Sequence, residues 1–298
     1  MKIRFVFLLL LLFVAFSSAA EKSFLFLSII PEKTKDIPGN VAMEMVFIPR
    51  IFSNISKRMQ QKKIQLSWPS VSFFGNRIFD DAQTDGPVLF VEGMTEPQLR
   101  YMLKYRILAE NWTFREEAEN GQNVFYIHAG SDNQEIPPEF RAFSLKNGMA
   151  FVAGNQENIM RNLGELLERK KSVRPDIPVY GTIQLGNFIA HPAMRNVKTL
   201  DFQISAEKNG IGELCMKALL YAKGDAPEDT DQIFKNVSAF FTEVYTNAAK
   251  AGQLTESHRQ AFTVYQEKDC TVIRILLPES FSNDFFTLLN KSIVKELH

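Results

Sequence analysis

The chain has 298 residues with balanced charge, 34 Lys and Arg against 34 Asp and Glu, and 45% hydrophobic and 23% charged residues. This length fits about two domains of ~100–200 residues each, and the composition excludes wholesale disorder. The balanced charge argues against nucleic acid as a partner, because general nucleic-acid binding needs a basic face.

The first twenty residues have the layout of a secretory signal peptide. Lys2 and Arg4 supply a positive start, and residues 5–16 are consecutive apolar residues. Ala20 ends a run of small residues just before Glu21. The apolar run rises only about 18 Å as a helix, short of the ~30 Å hydrocarbon core. We therefore expect export, to a periplasm or outside the cell, with cleavage near Ala20-Glu21 and no transmembrane segment afterwards.

The next elements differ in the strength of their signals. Residues 24–30 are typical of a buried strand, which Pro31 stops. Apolar residues at three- and four-residue steps predict a helix over 41–61, and Pro49 should kink or break it. Residues 62–86 have weak periodicity and many aromatic residues, so the sequence assigns no element there.

Residues 87–170 follow a clearer order of strands and helices. Thr95, with Gln98 three residues later, forms the capping box that opens a helix, and Asn147-Gly148 is a strong two-residue hairpin signal. The predicted elements are strand 87–92, helix 95–109, strands 112–117 and 123–129, a Pro-rich loop at 130–139, strands 141–145 and 149–153, and helix 156–170.

Residues 178–297 repeat much of that order. Leu200, Phe202 and Ile204 alternate with polar residues along one strand, and Asn209-Gly210 marks another hairpin. The predicted elements are strand 178–185, a short helical turn at 191–195, strands 198–206 and 212–222, a long helix with its apolar stripe between 233 and 248, strands 260–266 and 271–277, and helix 281–297.

These elements predict an α+β fold. Strands joined by tight turns imply antiparallel sheets, and amphipathic helices cover one face of such a sheet. We expect two similar halves, each an antiparallel sheet with helices packed on one face, as an internal duplication would produce. The predicted domains are the signal peptide at 1–20, an N-terminal domain at 21–171 that includes the less regular 62–86 segment, and a C-terminal domain at 177–298.

No motif for catalysis, a cofactor or a metal stands out. Gly210-Ile211-Gly212 begins a dinucleotide-binding pattern, but it lies in a hairpin and not before a helix, where a pyrophosphate would be held. The four histidines are far apart in the chain, zinc-site spacings do not occur, and the acidic turn at 80–85 lacks the EF-hand spacing. We therefore predict no metal and no cofactor, and assign no catalytic residue.

Four aromatic residues are the candidate contacts for a ligand or partner: Trp68, Phe73, Phe74 and Phe79. They lie in the segment with weak periodicity, and aromatic side chains on irregular segments often serve as binding contacts. The alternative is that this segment packs over the core as a lid. The densest basic cluster, at 169–174, sits at a predicted helix C-terminus, where the helix dipole favours cations.

Cys215 and Cys270 are the only cysteines. Export to an oxidising compartment permits a disulfide between them. The alternative is two separate buried thiols, which behave as small apolar side chains. The sequence leaves both alternatives open.

On these grounds we expect an exported, soluble protein that binds or interacts rather than reacts, with an unidentified protein or small molecule as its partner. An exported hydrolase is the alternative, because folding can bring two carboxylates together without leaving a sequence signal. A membrane-tethered accessory protein that keeps its leader is the third hypothesis.

Overall fold

The computed structural model describes residues 24–38, 69–75, 86–105, 113–128, 139–184, 196–250 and 262–278, without the side chains of 240, 241 and 243–250. The predicted signal peptide, the helices predicted at 41–61 and 281–297, and the helical turn predicted at 191–195 lie outside these residues.

Strands dominate the described part of the chain. They are β1 (Phe24–Ile29), β2 (Val71–Gly75), β3 (Val88–Glu92), β4 (Thr113–Glu119), β5 (Gln122–His128), β6 (Glu139–Leu145), β7 (Gly148–Val152), β8 (Val179–Gln184), β9 (Thr199–Lys208), β10 (Leu214–Lys223), β11 (Phe262–Glu267) and β12 (Cys270–Pro278). The helices among the described residues are α1 (Pro31–Thr34), α2 (Glu96–Lys104), α3 (Gln156–Ser172) and α4 (Asp229–Lys250).

The described strands form a single antiparallel sheet in the order β11-β12-β10-β9-β8-β1-β2-β3-β7-β6-β5-β4. The prediction of two halves, each with its own sheet covered by helices, is therefore wrong. Hairpin signals predict which strands are neighbours along the chain. They carry no information about pairings between distant strands, such as β3 with β7 or β10 with β12.

The strand order also differs between the two parts that the sequence likened to each other. β3, the first strand of the predicted repeat, pairs with the last strand of that repeat, β7. Its counterpart β8 pairs with β9, the next strand in the chain. A similar succession of elements thus leads to two different pairings, which contradicts a duplication of one unit.

The described elements group into two compact units. One, called here the N-terminal unit, holds β1 from Leu25 onward, β2 to β7, α2 and α3. The other, called the C-terminal unit, holds β8 to β12 and α4.

In the N-terminal unit, a helix lies on each face of the sheet. α2 opens with the predicted capping box, since the Thr95 hydroxyl accepts from the Gln98 N–H and the Gln98 side chain accepts from the Thr95 N–H. Its Leu99 and Met102 are buried against one face of the sheet, in the same cluster as Phe125 and Met149. Phe74 and Phe90 lie on the opposite face, where the cationic side chains of α3 cover their rings.

In the C-terminal unit, the apolar face forms as the alternation predicts. Leu200, Phe202 and Ile204 are buried, while the residues between them are half-buried. α4 contacts β10, β11 and β12, and its Ile233 and Val237 are buried. The strand, with apolar residues at every second position, and the helix, with apolar residues every three to four positions, therefore bury their apolar faces in the core of this unit.

Two glycine substitutions should affect stability in opposite directions. A Cβ on Gly148 would lie 2.3 Å from the Val91 carbonyl oxygen in the neighbouring strand, whereas a Cβ on Gly164 of α3 meets nothing within 4 Å. We expect Gly148→Ala to cost about 1–3 kcal/mol because the strands must shift. Gly164→Ala should stabilise by about 0.5–1 kcal/mol because alanine favours the helix. Urea midpoints of the two variants check both, and equal midpoints would contradict this packing of β3 against β7.

Candidate interaction surface

The structure places two of the four predicted contact residues within the sheet. Phe74, in β2, is only 4% exposed, and the Arg169 guanidinium lies 5.7 Å from the centre of its ring. Phe73 is half-buried and sits between Leu27 and Leu89 of the neighbouring strands. Trp68 and Phe79 lie outside the described residues. Phe74 is therefore a core residue and not an exposed contact.

Sequence reasoning missed β2 because a serine interrupts its apolar pattern. Ser72 shares a face with Phe74 and is buried. Its hydroxyl oxygen lies 3.1 Å from that of Ser28, the residue opposite it in β1. This hydrogen bond satisfies two polar groups inside the sheet, where an unpartnered hydroxyl would be costly. Nothing in the local sequence shows that the partner is available.

Cys215 and Cys270 are both free and buried. In the antiparallel pairing of β10 with β12, Cys215 lies opposite Pro278, at the other end of β12 from Cys270. Eight residues of strand span about 26 Å, whereas a disulfide needs Cα atoms within roughly 7 Å. The two cysteines are therefore separate thiols. Burial raises the pKa of each, and nearby acidic side chains add to the effect, so neither is a reactive thiolate.

The carboxylate of Glu92 has two polar partners in the N-terminal unit. It lies 2.6 Å from the Lys170 ammonium and accepts a hydrogen bond of 2.6 Å from the Ser70 hydroxyl. Burial opposes its ionisation, but the hydrogen bonds and charge of these two partners outweigh burial and lower the pKa of Glu92. The predicted basic cluster thus has a structural role at this point, at the C-terminal turn of α3.

A similar arrangement occurs in the C-terminal unit. Glu207 of β9 accepts hydrogen bonds from Lys217 and Arg274 in the two following strands of the sheet. Lys217 is the main cause of the lowered pKa of Glu207. A general acid needs the opposite shift, a raised pKa that keeps its proton at neutral pH. Neither carboxylate is tuned for acid catalysis.

The described residues contain neither a metal-binding cluster nor a membrane-spanning helix. No group of three or more His, Cys, Asp and Glu side chains there could hold a metal ion. His128 lies 3.0 Å from Glu139. None of the described helices is long and apolar enough to cross a membrane.

Large exposed aromatic side chains lie on α2 and on the adjoining side of β4. Tyr101 and Tyr105, one helical turn apart, are 44% and 47% exposed, and their ring centres are 4.4 Å apart. Phe114 of β4 is 38% exposed. Together with Arg100 and Lys104, these three residues are called here the α2–β4 surface.

A network of polar contacts holds α2 against β4 and β5. The Arg100 guanidinium binds Glu116 of β4 and lies 2.9 Å from Glu96 of its own helix. It also lies 5.6 Å from the centre of the Phe125 ring. Asn123 of β5 donates to Glu96 at 2.7 Å. The exposed aromatic residues therefore lie on α2 and β4, two elements that are joined by ion pairs and hydrogen bonds.

The helical pattern contained a signal for this surface that sequence reasoning did not use. The buried residues of α2 are Leu99, Met102 and Leu103. Tyr101 and Tyr105 follow the helical repeat but fall outside that stripe, which places two aromatic residues on the solvent side.

The C-terminal unit also has an exposed apolar residue. It is Ile211, in the hairpin between β9 and β10, which is 87% exposed.

Comparison with known proteins gives no match. No family model, no curated protein and no solved structure matches this chain.

Replacing Phe74 should lower stability and should not behave as the loss of a surface contact. We expect Phe74→Ala to cost about 3–5 kcal/mol, since it removes a buried ring between two strands and under α3. Phe114→Ala, which removes an exposed ring of the same type, should cost less than about 1 kcal/mol. Thermal melts of the two variants compare them, and a stable Phe74→Ala protein would contradict the core position.

The Glu92 cluster should make stability depend on pH. Because folding lowers the pKa of Glu92, its contribution is present above the ordinary Glu pKa of about 4.3 and is lost as the pH falls below it. Glu92→Gln should therefore be less stable than the parent at neutral pH, with a difference that shrinks in acid. Glu168→Gln is the control, because its exposed pair with Lys171 contributes little. A Glu92→Gln effect that does not change with pH would argue against the charge pairing.

Proposed function

We propose that this chain is an exported, non-catalytic binding or interaction protein whose contact site is the α2–β4 surface. The observation that carries the proposal is the exposure of Tyr101, Tyr105 and Phe114 on elements that polar side-chain contacts join to each other. Aromatic residues and arginine are enriched at protein interfaces, and they supply most of the residues that dominate binding energy.

The contacts that hold α2 in place support binding over a purely structural role. Tyr101 lies in α2 and Tyr105 is its C-cap residue. The capping box sets the start of this helix, and the Arg100 contact with Glu116 ties the helix to β4. Side chains that are already held in place lose little freedom when a partner binds, so more of the contact energy becomes affinity. Exposed tyrosines scattered on mobile loops would lack this advantage.

The ionisation of the buried polar groups supports a role without catalysis. Among the described residues, Glu92 and Glu207 have lowered pKa values and Cys215 and Cys270 have raised ones. These shifts stabilise salt bridges and neutral thiols. They are the reverse of those that create a general acid or a nucleophilic thiolate.

Export is part of the proposal and follows from the leader. Its positive start, its apolar run and its small residues before Glu21 form the signal-peptide pattern. Such a leader would direct the α2–β4 surface to partners outside the cytoplasm.

Site-specific crosslinking in the exporting cells tests this function. The photoreactive residue benzoylphenylalanine would be introduced at Tyr101 and, separately, at Tyr105. Irradiation should convert a fraction of the exported chain into a discrete covalent adduct larger than its monomer, with the same partner at both positions.

The matched control is benzoylphenylalanine at Met160, an exposed apolar residue of α3 in the same unit. It should give little or no adduct, and Phe114→Ala in the Tyr101 background should reduce the adduct yield several-fold. Equal crosslinking at 101, 105 and 160, or none at 101 and 105, would overturn the assignment of the α2–β4 surface.

A further inference from the structure

β4 has an outer edge that no described strand pairs with, because β4 is the last strand in the sheet order. Its first six residues, from Thr113 to Ala118, are all exposed. A free edge of this length presents a row of backbone N–H and C=O groups that another strand can bind.

The turn between β4 and β5 determines which backbone groups face outward. Asn120 and Gly121 both have positive φ, 51° and 78°, as a two-residue type I′ turn requires. Glu119 and Gln122, which flank the turn, then exchange hydrogen bonds with each other. Because bonding alternates along an antiparallel pair, Phe114, Glu116 and Ala118 point their N–H and C=O groups away from β5.

The charges along β4 are complementary to the same strand turned around. If two copies of β4 pair antiparallel with Glu116 opposite Glu116, Arg115 of each copy lies opposite Glu117 of the other. Both contacts fall at non-hydrogen-bonded positions, where opposing side chains are closest. On the other face, Phe114 of each copy lies opposite the small Ala118 of the other copy.

We propose that β4 pairs edge to edge with β4 of a second copy of this chain, with Glu116 at the two-fold axis. The inference names a partner for the α2–β4 surface and rests on the proposed function, because Phe114 belongs both to that surface and to the β4 edge. A two-fold contact of this kind is closed, because it uses the β4 edge of both copies.

The one like-charge contact in this arrangement is already compensated. Glu116 would face Glu116 of the second copy, but each is bound by Arg100 of its own chain. Arg115 is held ready for the new contact, since its guanidinium lies 4.2 Å from the centre of the Tyr126 ring and 2.8 Å from Glu117. Charges on an edge strand can also serve to keep other strands away, and the experiment separates the two roles.

Sedimentation velocity over a wide range of concentrations tests the pairing. The sample is the exported protein as it is purified from the cells, without further truncation. The parent should change from monomer to dimer as concentration rises. Arg115→Glu puts four acidic side chains at the two contacts, and Glu117→Arg puts four basic ones there. Each should raise the dimer dissociation constant about tenfold or more, because like charges directly opposite each other are destabilising.

The charge pattern provides its own controls. An equimolar mixture of Arg115→Glu with Glu117→Arg restores two opposite-charge contacts and should regain the affinity of the parent to within about threefold. The double variant Arg115→Glu/Glu117→Arg should regain it as well. Ala118→Pro, which removes an outward N–H but none from the β4–β5 pairing, should abolish the dimer while the melting temperature stays close to that of the parent.

Two outcomes would overturn the pairing. One is a parent protein that stays monomeric at every concentration, which would mean that the charges of β4 guard the edge. The other is a dimer that none of these variants weakens, which would place the contact elsewhere. Neither outcome decides the proposed function, since crosslinking from Tyr101 to a different protein remains its separate test.

Discussion

Backbone hydrogen bonding is the constraint on which the rest of this structure depends. Each strand inside a sheet must find partners for its N–H and C=O groups on both sides, and only the terminal strands are left with a free side. In the N-terminal unit, the order β3-β7-β6-β5-β4 follows from long-range pairings and makes β4 the terminal strand. The exposed aromatic surface beside β4 and its free edge are both consequences of that order.

Helix packing then decides which side chains are available at the surface. α2 buries Leu99, Met102 and Leu103 against the sheet and therefore leaves Tyr101 and Tyr105 on the solvent side. α3 lies on the opposite face, where Lys170 neutralises Glu92 next to Phe90. Polar groups within the described sheet thus serve stability, and the aromatic groups left outside are the better candidates for contact.

The outcome of sequence reasoning varied with the range of the interaction involved. Thr95 and Gln98 predicted the capping box of α2, and the alternation around Phe202 predicted the buried face of β9; the structure confirms both. Phe74, expected at a contact site, is a buried strand residue because its neighbour Ser72 hydrogen-bonds to Ser28 on a strand 44 positions earlier. A periodicity confined to a few residues cannot reveal a partner so far away.

The proposed contact site shows the same dependence on range. Tyr101 and Tyr105 were within reach of the helical pattern, since they fall off the apolar stripe that the pattern defines. The helical pattern could not show that Phe114 lies beside the same helix, because this depends on the contact of Arg100 in α2 with Glu116 in β4. The two cysteines were each predicted on or beside a strand, but only the β10–β12 register places them at opposite ends and excludes a disulfide.

The sequence by itself determined the leader pattern, the hairpin turns and the amphipathic faces of individual elements, since these arise from residues a few positions apart. Only the tertiary structure decided that the strands join in one sheet, that β4 ends it and that the repeated succession of elements does not produce a repeated topology. The physical reason is that any strand can satisfy the backbone of any other, so the choice among partners depends on the packing of the whole chain.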